Sequence, residues 1–145
     1  YFTVYGPAGR PDMAMFRFCQ WIAEGQPLII YGDGEQSRGF TYLDDIAQGT
    51  ILALKPLGFE VINLGGHEVI TINNLIHMFE ERIGKKAKTT HQPFHAADVR
   101  TNQADISKAI RVLGWHPEIN LEEGVTRLVN WYYEEREWVS KIKTG

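Results

Sequence analysis

Residues 27–42 read Pro27-Leu28-Ile29-Ile30-Tyr31-Gly32-Asp33-Gly34-Glu35-Gln36-Ser37-Arg38-Gly39-Phe40-Thr41-Tyr42. The apolar run Pro27–Tyr31 is too short for a helix and is predicted to be a buried strand. Gly32-Asp33-Gly34 opens a turn, and Gly39–Tyr42 resumes in extended form. Upstream, Met15, Phe18, Cys19 and Ile22 recur at helical spacing until Gly25. Downstream, Asp44 or Asp45 is placed to cap a helix over about 46–54, with Ile46, Ala47, Thr50, Ile51 and Leu54 along one side and Pro56 beyond its end. A strand flanked by helices on both sides sets the class as α/β.

The same reading extends to both ends. Tyr1–Tyr5 is rich in β-branched and aromatic residues and reads as a strand already under way, so the chain is expected to be a piece of something longer. Gly6–Asp12 is a turn-rich loop. Glu60–Leu64 is predicted as a strand ending at Gly65-Gly66, and Val69–Thr71 as another. Ile72, Leu75, Ile76, Phe79 and Ile83 make an amphipathic stripe closed by Gly84. Lys86–Gln92 is extended. Asp105 is expected to cap a short helix with Ile106, Ala109, Ile110 and Leu113 inward and Gly114 at its end. Asn120 with Glu123 starts a last helix that runs to about residue 139.

Composition narrows the function classes. The 145 residues carry a net charge of −3, which disfavours a nucleic-acid binder, because that mode needs a basic face. No stretch is long and apolar enough for a membrane span, and no signal peptide is visible. Cys19 is the only cysteine, which permits a reducing, cytoplasmic setting. It falls on an apolar helical stripe with no basic neighbour placed to activate it, so it reads as a small core residue. His91 and His95 lie four apart, but Pro93 separates them and their surroundings look extended, so no metal site is assigned. Gly32-Asp33-Gly34 lacks the third glycine and the following helix of a dinucleotide loop and reads as an ordinary turn. Two arginines in loops, Arg10 and Arg38, suit anions through their fixed charge and forked donors, although a lone arginine is also a common solvated surface residue.

Tyr1–Ala14, with Gly6-Pro7-Ala8-Gly9-Arg10-Pro11-Asp12 at its centre, resembles the start of the C-terminal half of NAD-dependent sugar-nucleotide epimerases and dehydratases of the extended short-chain dehydrogenase/reductase type. UDP-glucuronate 4-epimerases are the most similar. Gly25–Gly34 followed by Arg38–Asp45 is similar to the nucleotide-binding region of that family. Asn63-Leu64-Gly65, Ala104–Ala109 and Leu113–Pro117 continue the likeness over nearly the whole chain. Ala8 stands where tryptophan is frequent, and His95 where related epimerases carry an arginine.

The resemblance implies the substrate-binding portion of such an enzyme without most of its Rossmann domain: residues 1–12 as a late Rossmann strand and loop, residues 13–145 as the nucleotide-sugar domain. It implies NAD as cofactor and interconversion of UDP-glucuronate and UDP-galacturonate through a 4-keto intermediate. UDP-glucose 4-epimerase, 4,6-dehydratase, uronate decarboxylase and a non-catalytic nucleotide-sugar binding module are the alternatives. The family's glycine-rich NAD loop and its catalytic Tyr-x-x-x-Lys pair do not occur among these residues, so no catalytic residue is assigned and the chain alone is expected to be inactive. By the same resemblance Phe2 lies near the nicotinamide and Thr3 near the sugar, Asp12 and Met13 meet the substrate, and Arg10 positions the uronate end. Ile29 and Tyr31 line the uracil site, Arg38 binds the diphosphate and Asp98 holds the ribose. The exposed edge of Tyr1–Tyr5 is expected to find a partner, giving a homo-oligomer.

Overall fold

The computed structural model describes residues 1–56, 58–66, 68–94 and 99–144. In chain order the elements are β1 (Val4–Tyr5), α1 (Ala14–Ala23), β2 (Pro27–Tyr31), β3 (Ser37–Tyr42), α2 (Leu43–Leu52), β4 (Glu68–Thr71) and α3 (Ile72–Ile83). These are followed by β5 (Lys88–Gln92), β6 (Thr101–Asn102), α4 (Ser107–Leu113), α5 (Leu121–Glu134) and α6 (Arg136–Val139). The α/β class holds.

Strand β3 is the hub. Its Thr41–Tyr42 end pairs in parallel with β1, and its Ser37–Arg38 end in parallel with β6. β4 runs antiparallel beside it, with Ser37 opposite Thr71 and Phe40 opposite Glu68. β2 and β5 form a separate parallel pair, from Pro27 opposite Lys88 to Tyr31 opposite Gln92. A built Cβ on Gly39 would come within 2.5 Å of the Gly66 carbonyl oxygen, so only glycine lets that segment cross β3. Gly66 itself has φ +73, donates its N–H to Thr41 Oγ1 at 2.6 Å and lies against the Phe2 ring.

The main core joins α1, β2, β3, α3 and α5 through Phe16, Leu28, Phe40, Phe79 and Leu128 among others. Met15, Phe18, Cys19 and Ile22 are all buried, as their spacing predicted. A second, smaller core holds Ile46, Leu64, Ala109, Leu113 and Trp115 under α2 and α4. Asp45 ties the two: Trp115 Nε1 donates to its carbonyl at 2.8 Å, and its carboxylate accepts from the Glu118 and Ile119 N–H groups at 2.9 and 3.2 Å.

Several expectations are corrected. Helix α2 begins at Leu43 with no side-chain cap, and Asp45 is turned inward to these partners instead. Of the proposed stripe on α2, Ile46 is buried while Ile51 and Leu54 face outward. Residues 60–64 are not a strand, although the Leu64 carbonyl accepts from Phe2 N–H at 3.2 Å. Strand β1 shrinks to Val4–Tyr5. A two-residue strand gains few ladder bonds, and residues 60–64 gain fewer still. Ile106, not Asp105, occupies the cap of α4, while Asp105 Oδ1 accepts from Ser107 N–H at 2.9 Å. Ile110 points outward. The last helix breaks at Glu135 into α5 and α6. The Asn120 cap, with its side chain accepting from Glu123 N–H at 2.9 Å, forms as the sequence predicted.

Candidate functional site

Loop Gly6–Asp12 is built by two tight turns. Gly9 N–H donates to the Gly6 carbonyl at 3.2 Å, and Met13 N–H to the Arg10 carbonyl at 3.2 Å. Pro11 follows the first residue of the second turn, where its fixed φ is already correct. Ala8 has φ 54, a left-handed conformation that costs a non-glycine residue roughly 1–2 kcal/mol. The turns and this strained residue hold the loop in one shape over a cleft of about 610 Å³, whose walls include Phe2, Thr3, Arg10, Met13 and Leu43. Phe2 is fixed by its bond to Leu64 and its contact with Gly66, and Thr3 by the Thr41 N–H, which donates to its carbonyl at 3.0 Å.

A second cavity of about 300 Å³ lies between α1 and β2, lined by Asp12, Arg17, Trp21, Ile29, Tyr31 and Gln36. Strand β2 forms where the sequence predicts but is not buried throughout: its pleat buries Leu28 and Ile30 and turns Ile29 and Tyr31 outward, because only one of its faces packs on the core. Gln36 is buried, its Nε2 donating to the Tyr31 carbonyl at 2.7 Å, and it also lines a third cavity of about 350 Å³ with Gly32, Phe94, Arg100 and Thr101. Arg38, on β3, is not itself in the wall of this third cavity but is tied to it: Nη1 donates to the Ser37 carbonyl at 2.7 Å and to the carbonyl of Arg100, a wall residue, at 3.4 Å.

The sequence-predicted residues therefore fall into linked groups. Phe2, Thr3, Arg10 and Met13 share the first cleft, Asp12, Ile29 and Tyr31 share the second, and Arg38 is tied to the third. Asp98 lies outside the described residues. Arg10 and Asp12 join the first two groups by bonding to each other: Nη2 to Oδ2 at 2.6 Å and Nε to Oδ1 at 3.1 Å. This hydrogen bond to Arg10 holds the Asp12 carboxyl below the ordinary carboxylate range.

Sequence reasoning missed Arg17, Gln36 and Arg100. Gln36 carried a signal, a polar side chain enclosed between a glycine turn and an apolar strand. Arg17 and Arg100 reach their cavities only through tertiary packing. Burial pushes the Cys19 thiol up to about 12, so it stays protonated and serves as packing. Burial likewise raises Tyr5 well above its ordinary value. Among the described residues no three His, Cys, Asp or Glu side chains gather within reach of a metal ion, and no helix is long and apolar enough to cross a membrane.

The family model for GDP-mannose 4,6 dehydratase matches residues 1–128. The UDP-glucuronate 4-epimerase of Thermodesulfobacterium geofontis is 59% identical over 144 residues, covering 99% of this chain and 45% of that protein. The UDP-glucuronic acid 4-epimerase of Bacillus cereus, solved with UDP-glucuronic acid and NAD, superimposes with TM-score 0.86 at 40% identity, over 93% of this chain and 44% of that one. The UDP-glucose 4-epimerase of Thermotoga maritima, solved with UDP-glucose, gives TM-score 0.88 at 32% identity, over 94% and 45%. The chain thus spans a little under half the length of these relatives and matches the C-terminal portion of extended short-chain dehydrogenase/reductases. On the family match and these likenesses together, the chain belongs to the NAD-dependent sugar-nucleotide epimerase and dehydratase family.

Proposed function

We propose that this chain supplies the nucleotide-sugar side of a UDP-sugar 4-epimerase that interconverts UDP-glucuronate and UDP-galacturonate. The observation that carries the reading is the single cleft that gathers Phe2, Thr3, Arg10 and Met13. The 59% identity to a UDP-glucuronate 4-epimerase supports it. Residues 1–12 face the cofactor side and residues 13–145 the nucleotide-sugar side. Bound NAD supplies reversible hydride exchange at C4 of the sugar. Few groups of this chain suit NAD itself: Phe2 offers a flat apolar wall backed by Gly66 for the nicotinamide.

Arg38 takes the diphosphate, Ile29 and Tyr31 the uracil, Asp98 the ribose, and Asp12 and Met13 border the sugar. A 4-keto uronate is a β-keto acid. When its carboxylate carbon bond aligns with the ketone π system, that bond breaks, CO2 leaves and the electron pair moves to the ketone oxygen as an enolate. Arg10 and the Thr3 hydroxyl, as fixed donors, hold the carboxylate away from that alignment. Arg10 also separates this reading from a neutral-hexose epimerase or a 4,6-dehydratase, whose substrates bring no carboxylate to it.

The 145 residues contain no Tyr-x-x-x-Lys, so the chain alone binds without epimerising, and turnover belongs to the full-length protein. The outward face of Tyr1, Ile51, Leu54, Phe59 and Val61 is reserved for the remainder of that protein, and copies of the isolated chain associate there as a homo-oligomer. A cytoplasmic setting suits the lone reduced thiol.

The test uses full-length protein. Arg38→Ala should weaken UDP binding about ten- to a hundredfold, roughly 1.5–3 kcal/mol for a charge-assisted contact. Arg10→Ala should cut UDP-glucuronate turnover with UDP affinity nearly intact. Loss of UDP binding in Arg10→Ala as severe as in Arg38→Ala, or no UDP-galacturonate from the wild type, defeats the assignment.

A further inference from the structure

Arg10 and Asp12 are the only charged residues of loop Gly6–Asp12. The turn closed by Met13 N–H on the Arg10 carbonyl lets their side chains meet, with Pro11 fixing the backbone between them. The pairing is side-on: Nε and Nη2 of Arg10 each donate to one oxygen of Asp12, at 3.1 and 2.6 Å. A guanidinium has five N–H donors, of which this geometry uses two. The end-on edge, formed by Nη1 and the second Nη2 hydrogen, keeps its donors. Arg10 lines the cleft of about 610 Å³, while Asp12 lies on the other side of the loop, lining the neighbouring cavity with Arg17.

Asp12 restricts the orientation of a long, flexible side chain that is otherwise solvent-exposed. With two donors held by Asp12, Arg10 presents the remaining ones in one plane, and a carboxylate that meets that plane gains two parallel hydrogen bonds.

We propose that Asp12 is a positioning residue for uronate recognition: it grips the side-on edge of Arg10 so that the end-on edge alone faces the sugar carboxylate. This rests on the UDP-glucuronate reading of the cleft and gives Asp12, at the border of the sugar, its partner in Arg10.

The experiment compares full-length wild type, Asp12→Asn, Asp12→Glu, Arg10→Ala and the double variant Arg10→Ala/Asp12→Asn. Dissociation constants are measured for UDP, and kcat and KM for UDP-glucuronate. Asp12→Asn, which keeps size and removes charge, should lower kcat tenfold or more while the UDP constant stays within twofold. Asp12→Glu should restore part of the loss. The double variant should be no slower than Arg10→Ala, because Asp12 acts only through Arg10. Wild-type turnover in Asp12→Asn, a loss of UDP affinity matching the loss of kcat, or additive losses in the double variant each overturn the proposal. If wild type makes no UDP-galacturonate, the functional reading fails and this inference with it. If wild type is active and only the Asp12 pattern fails, the functional reading stands.

Discussion

The two cores of this chain contrast in what covers them. The main core is enclosed on all sides by its own elements: Leu75, Phe79 and Val125 are fully buried between α1, α3 and α5. Even the C-terminal tail is fastened to it, with Gln20 Nε2 donating to the carbonyls of Val139, Ser140 and Ile142. The smaller core buries Trp115 completely, yet its surroundings face outward, with Leu54 82% and Phe59 92% exposed. One region satisfies itself. The other is flanked by exposed apolar side chains, while β1, which follows Phe2 and Thr3, contributes Tyr5 to the main core.

The largest expected effect tests whether the two cores are separate. Trp115→Ala removes a fully buried ring and its bond to Asp45 and should cost about 3–5 kcal/mol. Hydrogen exchange should then rise across α2 and α4 while α3 and α5 keep their protection. Equal loss of protection in α3 and α5 would show a single cooperative unit.

A smaller effect is expected at the seam of the main core. Glu24 accepts from Arg136 Nε and Nη2 and from the Tyr132 hydroxyl, all at 2.9 Å. Its carboxyl is held below the ordinary value, chiefly by the Arg136 hydrogen bond. A depressed acid stabilises the fold above its unfolded pKa, and that contribution disappears as pH falls through the folded one. Stability should therefore decline below the ordinary glutamate range, by less than about 1 kcal/mol for this partly exposed pair, and Glu24→Gln should flatten that part of the urea-midpoint profile. An unchanged slope in Glu24→Gln counts against it.

The smallest effect sharpens the contrast most. In the isolated chain, Leu54→Ser and Phe59→Ser should change unfolding stability by no more than about 0.5 kcal/mol and reduce self-association measured by sedimentation. In full-length protein the same pair should be clearly destabilising. Neutral behaviour in both settings would mean that this face is simply solvated.

Much of the fold was legible in local sequence because local chemistry sets it. The stripe of α3 with Gly84 and the Asn120 cap depend on periodicity and nearest-neighbour hydrogen bonds. Errors arose where a distant partner outbid the local rule. Asp45 has the right residue type and place for a cap, but two N–H groups more than seventy positions away claim its carboxylate. Ile51 and Leu54 make a respectable helical stripe, but among the described residues nothing covers them.

The site divides along the same line. Sequence by itself determined which residue types stand in the loops, the family they resemble, and the rigid turn around Pro11, since turn geometry is a property of a few consecutive residues. Only the tertiary structure decided that Phe2 rests on Gly66, that Gln36 forms the wall between two cavities, and that Arg10 is already engaged by Asp12. Those facts depend on side-chain direction and on which segments cross, and neither is a periodic property of the chain.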